Sequence, residues 1–313
     1  MSFPLWQGVF PAVTTPFKPD LSVDLDALGN QIEWQLANGV HGIILSGSLG
    51  EGSTLEDSEK IALVKTALEV TKGNCPVLLC LASSSTLNAC RLAEKAAHAG
   101  AAGLMVLPPL NYRSDAAETM AHFRQIAQAA NLPIMIYNNP VSYGVDVSPQ
   151  DLLTMADDPR FVAVKESSDD VRRITDLFNS VGNRYQLFTG VDNLAMESLV
   201  MGAHGWVAGL VCAYPRETVA IYNLIQNGCI AEARRIYRWF MPLLHLDVSA
   251  KLVQNIKLAQ HFVGKGTEIV RPPRQILAGS EREAVMATLK RAQTAAAEIA
   301  PLLDLASAKG VNA

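Results

Sequence analysis

Lys165 closes the run Phe161-Val-Ala-Val-Lys165, so four apolar residues carry an amine to the end of a short Val-rich segment. Such a run reads as a buried parallel strand, and lysine is seldom buried without a partner or a task. Burial disfavours an ammonium, and a neutral amine can attack a carbonyl to form a Schiff base. The competing readings at this point are a pairing with the neighbouring Glu166 or a side chain bent into solvent. Tyr137 ends a second apolar run, just before Asn138-Asn139-Pro140. An aromatic ring in a strand packs by default, but a phenol near an amine can also pass protons. The segment Gly47-Ser48-Leu49-Gly50-Glu51-Gly52-Ser53 offers backbone N–H groups and the Ser48 hydroxyl to an anion. Its G-x-x-G-x-G spacing is not followed by Gly-Lys-Ser/Thr, which argues against a nucleotide loop.

Other constellations carry less. The six histidines show neither His-x-His nor His-Glu-x-x-His spacing, so no metal site is expected. Without a Gly-x-Ser-x-Gly elbow, an α/β-hydrolase is disfavoured. His245-Leu246-Asp247 reads as a surface or interface feature, and Asp169-Asp170 as the dipole-favoured start of a helix. Gly264-Lys265-Gly266-Thr267 reads as a turn.

These groups need elements to hold them. Strand-like runs fall at residues 8–13, 42–46, 76–81, 103–107, 133–137, 161–165, 185–189 and 205–209. Helical patterns lie between and after them, at 24–38, 56–71, 86–99, 115–130, 148–155, 169–180, 192–201 and 214–226. Asp24 and Thr54 are candidate caps, and Gly39, Gly73 and Gly100 candidate stops. Strict β–α alternation implies parallel strands with right-handed crossovers, and eight units favour a closed TIM (β/α)8 barrel. The alternation then ends in helical segments at 231–246, 251–263 and 281–303, with a frayed tail from 307 to 313. The expected division is a barrel over 1–228 and a helical extension over 229–313 packed on it. Barrel enzymes collect reactive groups beyond the carboxyl ends of the strands. Tyr137 and Lys165 then stand on neighbouring strands, with Gly190 after the seventh strand and Val207 in the eighth as further candidates to touch a ligand.

Bulk properties bound the partners. The 313 residues are 49% hydrophobic and 18% charged with a net charge of −4, so no basic field exists to attract nucleic acid. Five cysteines, odd in number and without a Cys-x-x-Cys pair, fit reduced thiols in a cytoplasmic protein. Met1-Ser-Phe-Pro-Leu-Trp has no signal-peptide character, and no apolar run is long enough to span a membrane.

Taken together, Gly47-Ser-Leu-Gly-Glu51, Tyr137-Asn-Asn-Pro140 and Val164-Lys165-Glu166 resemble the dihydrodipicolinate synthase/N-acetylneuraminate lyase family of Schiff-base aldolases. The similarity runs from Gly8 to about Arg274. It implies a (β/α)8 barrel with a C-terminal helical extension, usually a homotetramer needing no metal or organic cofactor. It also implies that Lys165 forms an imine with a 2-oxo acid, that Tyr137 relays protons, and that Gly47, Ser48 and Leu49 hold the substrate carboxylate. Departures from the synthases narrow the substrate. Leu49 stands where they carry a second hydroxyl, and Ser142 where they carry an arginine that would clamp a second carboxylate. Tyr112, in Pro108-Pro-Leu-Asn-Tyr112, is the candidate replacement for their relay tyrosine. Ser142 and Tyr143 then complete the expected substrate contacts.

Three stretches are similar to the 1-pyrroline-4-hydroxy-2-carboxylate deaminases of hydroxyproline breakdown: Tyr137 to Asp146, Lys165 to Arg173, and Trp239-Phe-Met-Pro-Leu-Leu-His-Leu-Asp247. That similarity implies dehydrating deamination of the cyclic imine to 2-oxoglutarate semialdehyde and ammonia. A pyruvate-dependent aldolase or synthase is the alternative activity, and a non-catalytic barrel that binds a small carboxylate is the alternative from another class.

Overall fold

Short runs of Val, Ile and Leu flanked by longer amphipathic segments bury on both faces, and parallel pairing follows. The computed structural model describes residues 5–310; the leader reading at residues 1–4 and the tail reading at 311–313 lie outside them. In chain order the elements are β1 (Gly8–Pro11), α1 (Leu25–Ala37), β2 (Ile43–Leu45), α2 (Asp57–Thr71), β3 (Val77–Leu81), α3 (Thr86–Ala99), β4 (Gly103–Val106) and α4 (Ala116–Ala130). Then come β5 (Ile134–Asn138), α5 (Pro140–Tyr143), α6 (Pro149–Thr154), β6 (Phe161–Glu166), α7 (Arg172–Val181), β7 (Gln186–Thr189), α8 (Ala195–Val200), β8 (Gly205–Ala208) and α9 (Pro215–Gln226). Four helices follow: α10 (Ile230–Leu244), α11 (Leu252–Phe262), α12 (Gly279–Ala295) and α13 (Ala300–Lys309).

All eight strands pair in parallel, in the order β1-β8-β7-β6-β5-β4-β3-β2. A parallel bridge from Ala12 to Ile44 brings the two ends together, which makes the sheet a TIM barrel surrounded by helices. Side chains alternate across it. Phe10, Ile44, Leu78, Met105, Met135, Ala163, Phe188 and Val207 fill the interior as one cluster. Val9, Ile43, Leu79, Leu104, Ile136, Val164 and Leu187 face the helices in the other. Lys165 has the parity of Ala163 and faces inward, while Glu166 has that of Val164 and faces out. In the extension, α10 and α13 pack on α9, and α11 contacts α12.

Several local readings need correction. The helix cap before α2 is Glu56, in a reciprocal box with Glu59, while the Thr54 hydroxyl bonds back to the Glu51 carbonyl. Helix α7 begins at Arg172 rather than 169, because Asp169 takes a left-handed φ of 61° and Asp170 instead binds the Arg172 backbone and guanidinium. The segment read as one helix over 281–303 is two, α12 and α13, with Pro301 in the first turn of α13, where its missing N–H costs nothing. Residues 307–309, expected to fray, belong to α13. Among the described residues no helix is long and apolar enough to cross a membrane, and all five cysteines are free.

Candidate active site

Tyr137 and Lys165 are direct register partners on β5 and β6. The Lys165 Nζ lies 4.0 Å from the centre of the Tyr137 ring, so the amine and the phenol share one small volume. Lys165 is only 7% exposed, yet among the described residues no carboxylate pairs with it. The Glu166 carboxylate, on the opposite face, accepts from Asn138 Nδ2 at 3.0 Å and from the Ser168 N–H at 2.7 Å. The pairing of Lys165 with Glu166 is thereby excluded by strand parity. Gly190 makes room for the lysine: a Cβ there would fall 2.4 Å from Lys165 Cε and 2.1 Å from Ser167 Oγ.

A cavity of about 470 Å³ opens above this pair. It is bordered by Gly47, Ser48 and Leu49 after β2, by Ser142 and Tyr143 of α5, by Gly190 after β7 and by Val207 of β8. Nine of the ten residues expected at the site therefore meet in one place. The exception is Tyr112. It is 58% exposed, with its hydroxyl donating to the Glu118 carboxylate, and it does not border the cavity of the single chain. The reason is local: residues 108–115 run from β4 toward α4, whose first turn contains Glu118.

The Gly47–Ser53 loop divides its work. Among the described residues, no protein acceptor takes the Ser48 or Leu49 N–H, so both remain available to an anion. The second half of the loop is packed tightly: a Cβ on Gly52 would fall 2.0 Å from the Ser46 carbonyl oxygen. Ser48 Oγ and Tyr143 Oη hydrogen-bond directly, and the Tyr143 ring meets the Tyr137 ring edge-on at 6.0 Å. Burial, with the Tyr137 phenol close by, pushes the Tyr143 phenol well above its ordinary value. Tyr143 is therefore a neutral donor throughout the ordinary pH range. Leu49 is 4% exposed and contributes an apolar wall where a hydroxyl would add a hydrogen bond.

The loop is fixed from behind by the extension. Glu51, fully buried and at a left-handed φ of 53°, accepts from Lys257 Nζ of α11 at 2.6 Å and from the Arg271 N–H at 3.0 Å. Burial lowers the Lys257 amine to about 8, against the pull of Glu51 toward the charged form. Thr14 adds a buried bond to Gln260 Oε1 at 2.7 Å.

Five polar residues at the cavity were not anticipated as site residues: Ser167, Asn139, Asp247, Asp169 and Ser249. Ser167 Oγ is buried beside the lysine stem without a protein partner among the described residues. Asn139 donates to Tyr137 Oη at 3.1 Å. The third, Asp247, was expected at a surface or interface; it instead borders the cavity with Val248, Ser249 and Ala250, on the corner between α10 and α11. That corner is held by Asn255, which donates to the Leu246 carbonyl and to Ser249 Oγ. A lone acid in a turn between two helices looks like a solvated residue, and only the topology brings it over β8. Among the described residues, Lys165 is the single side-chain cation bordering the cavity, which also has two acids, Asp169 and Asp247.

Residues 5–292 match the Dihydrodipicolinate synthetase family. The 4-hydroxy-tetrahydrodipicolinate synthase of Exiguobacterium sibiricum is 32% identical over 269 residues, spanning 86% of this chain and 92% of its own. That of Methanospirillum hungatei is 30% identical over 272 residues, spanning 86% and 93%. Among solved structures, the 4-hydroxy-tetrahydrodipicolinate synthase of Methylacidiphilum fumariolicum superposes with a TM-score of 0.90 at 28% identity, over 95% of this chain and 99% of the other.

Proposed function

The chain belongs to the dihydrodipicolinate synthetase family, whose members are Schiff-base lysine enzymes, and from that premise we propose that it acts on a 2-oxo acid, or on the cyclic imine of one, through an imine on Lys165. The observation that carries this reading is the buried, unpaired Lys165 amine 4.0 Å from the Tyr137 ring, below a loop with free N–H groups. Lys165 attacks C2, and the cationic imine then serves as an electron sink for charge developing at C3. Tyr137 moves the proton at C3. The Ser48 and Leu49 N–H groups, with the Ser48 and Tyr143 hydroxyls, hold the carboxylate and fix the adduct.

The relatives' names favour pyruvate chemistry, in which a carbon–carbon bond at C3 is made or broken. The Acinetobacter baumannii dihydrodipicolinate synthase, 26% identical with a TM-score of 0.88, was solved in complex with pyruvate. One feature of the cavity favours a second reading. With Lys165 as its single cation and Ser142 in place of an arginine, the cavity has no charge-assisted clamp for a second carboxylate. A substrate with one carboxylate fits this donor set, as in dehydrating deamination of 1-pyrroline-4-hydroxy-2-carboxylate. There Lys165 would open the ring at C2, the C4 hydroxyl would leave as water, and hydrolysis would release ammonia and 2-oxoglutarate semialdehyde, with net uptake of one water. Assembly as a homotetramer is part of the same proposal and is read by sedimentation.

Borohydride reduction in the presence of pyruvate and, separately, of 4-hydroxy-1-pyrroline-2-carboxylate tests the imine. A reduced adduct on Lys165 is expected, and its absence with both compounds would sink the mechanism. Ammonia released from the pyrroline alone selects deamination, whereas aldol formation from pyruvate selects the carbon–carbon reaction.

A further inference from the structure

We propose that Asp247, brought to the cavity by the α10–α11 corner, is the general acid of this site and gives its proton to the oxygen on C4 of a substrate held as an imine on Lys165. This rests on the imine reading above. Three observations support it.

The first is placement. The Asp247 carboxyl lies directly over Gly209, where a Cβ would fall 2.2 Å from Oδ1, so the bare Cα after β8 is what admits this group. Tyr137 is on β5, so the phenol and the carboxyl approach from opposite sides of Lys165. With the substrate carboxylate at the β2 loop and C2 on β6, the oxygen on C4 can face the β8 side while the far end of the chain lies toward Ser142 of α5.

The second is the difference between two neighbouring carboxyls. Asp192, 1% exposed, accepts from Trp206 Nε1 at 2.8 Å, from the Leu210 N–H at 2.8 Å and from the Gly209 N–H at 3.3 Å. Those donors favour the anion against the burial that raises the Asp192 carboxyl. No protein group among the described residues donates to the Asp247 carboxyl, which faces the cavity. Where two carboxyls share one region, the one held by fixed donors ionises, and its charge keeps the proton on the other.

The third is charge. Burial and the negative charge of Asp192 push the Asp247 carboxyl well above its ordinary value, and Lys165 opposes them. The ionisable groups around it are Lys165 on β6, Asp169 after β6, Asp192 after β7 and Cys212 after β8. His245, on the same corner, is turned to Asn193. Asp169, the other acid of the cavity, is exposed at the rim and lacks the burial that would keep a proton on it.

The step balances. A proton leaves C3 through Tyr137 and converts the imine to an enamine. The enamine electron pair moves toward C4, the C4–O bond breaks, and the oxygen departs with the Asp247 proton as water. Asp247, now a carboxylate, takes a proton from solvent before the next turnover. In the carbon–carbon direction the same proton goes to the aldehyde oxygen as C3 attacks.

Asp247→Asn keeps the shape and removes the proton, and four measurements on it decide the matter. Borohydride trapping of the pyruvate imine on Lys165 should persist. Turnover of 4-hydroxy-1-pyrroline-2-carboxylate, or of pyruvate with an aldehyde if the wild type uses those, should fall by about 10²–10⁴-fold, the usual range for a lost acid. The alkaline limb of the kcat profile, where the wild type slows as the acid deprotonates, should vanish. On the pyrroline, a 4-fluoro analogue, whose leaving group needs no proton, should recover most of the lost rate. Turnover within a few-fold of wild type, equal slowing of the fluoro analogue, or loss of trapping in the variant would each overturn the role at C4. No adduct in the wild type would overturn the imine reading and this role with it.

Discussion

On one wall of the cavity, Tyr137 and Lys165 are adjacent strand residues in register, and the amine and the phenol are set by pairing alone. On a second wall, over β8, Asp247 arrives from a corner between two helices of the extension and rests on a glycine that leaves it space. Both walls depend on a missing Cβ, at Gly190 for the lysine and at Gly209 for the aspartate. The difference lies in what holds the reactive group. Strand pairing is shared by the whole barrel and fixes where the imine forms. The α10–α11 corner lies outside the strand ladder, and in the proposed reading it faces the part of the substrate beyond C3. In the proposed reading the first wall provides the Schiff base, and the second influences what the Schiff base does.

Removing the first wall's nucleophile should have the largest effect. Lys165→Ala should reduce kcat on the order of 10⁴–10⁶-fold, the scale seen when a covalent nucleophile is lost, and abolish the borohydride adduct seen by mass spectrometry. The fold should survive, because a small side chain replaces an amine that makes no ion pair. Residual turnover within about 10²-fold of wild type, well short of that scale, would mean that the first wall is not where bond making starts.

The first wall is legible in the amino-acid sequence, and the second is not. Val164-Lys165-Glu166 and Tyr137-Asn-Asn-Pro140 place their residues by alternation, so a strand assignment alone decides which side chain faces the interior. The Gly47–Leu49 half of the loop is readable for the same reason, since it directly follows a strand. Asp247 carries no such local signal. Its role depends on the angle at which α10 meets α11, on Asn255 fixing the corner, and on Gly209, which lies far from it in the chain. Tyr112 is placed differently: it follows a strand as the active loops do, but in the single chain its hydroxyl binds Glu118 away from the cavity. Periodicity misplaces the helix boundaries at 169 and near 296, because side-chain bonds and a proline set them.

The two glycines offer a paired test of intermediate size. Gly209 has φ −100° and ψ −52°, a conformation any residue adopts, and Gly190 has no left-handed φ either. Substitution by alanine at each therefore reports contact, not backbone strain. Gly190→Ala should displace the Lys165 side chain and impair both adduct trapping and turnover by about 10²-fold, the penalty of misplacing a reacting group by about 1 Å. Gly209→Ala should push Asp247 off its seat, leave pyruvate trapping intact and slow turnover on a similar scale. Trapping lost equally in both variants would erase the distinction between the walls.

The smallest effect concerns stability and has an unusual sign. In the unfolded chain Asp247 releases its proton near the ordinary carboxylate value of 3.8, while in the folded protein burial and Asp192 hold the proton to higher pH. Between those two points the folded state binds the extra proton, so stability falls as pH rises through that window. Above it, the full cost of placing a second carboxylate beside Asp192 is present. An amide in place of this carboxyl would not titrate and would give up no hydrogen bond, since Asp247 accepts none from the described residues. Asp247→Asn should therefore raise Tm at neutral pH and leave it unchanged below the ordinary carboxylate range. The gain should be a few °C, because a tenfold change in proton affinity is worth about 1.4 kcal/mol and each kcal/mol moves a domain this large by only about 2–4 °C. A loss of Tm at neutral pH would instead mark Asp247 as an anion that supports the fold through Lys165, and the second wall would then be a structural wall. A small gain in stability with a large loss of rate is the pattern of a residue retained for chemistry rather than for folding.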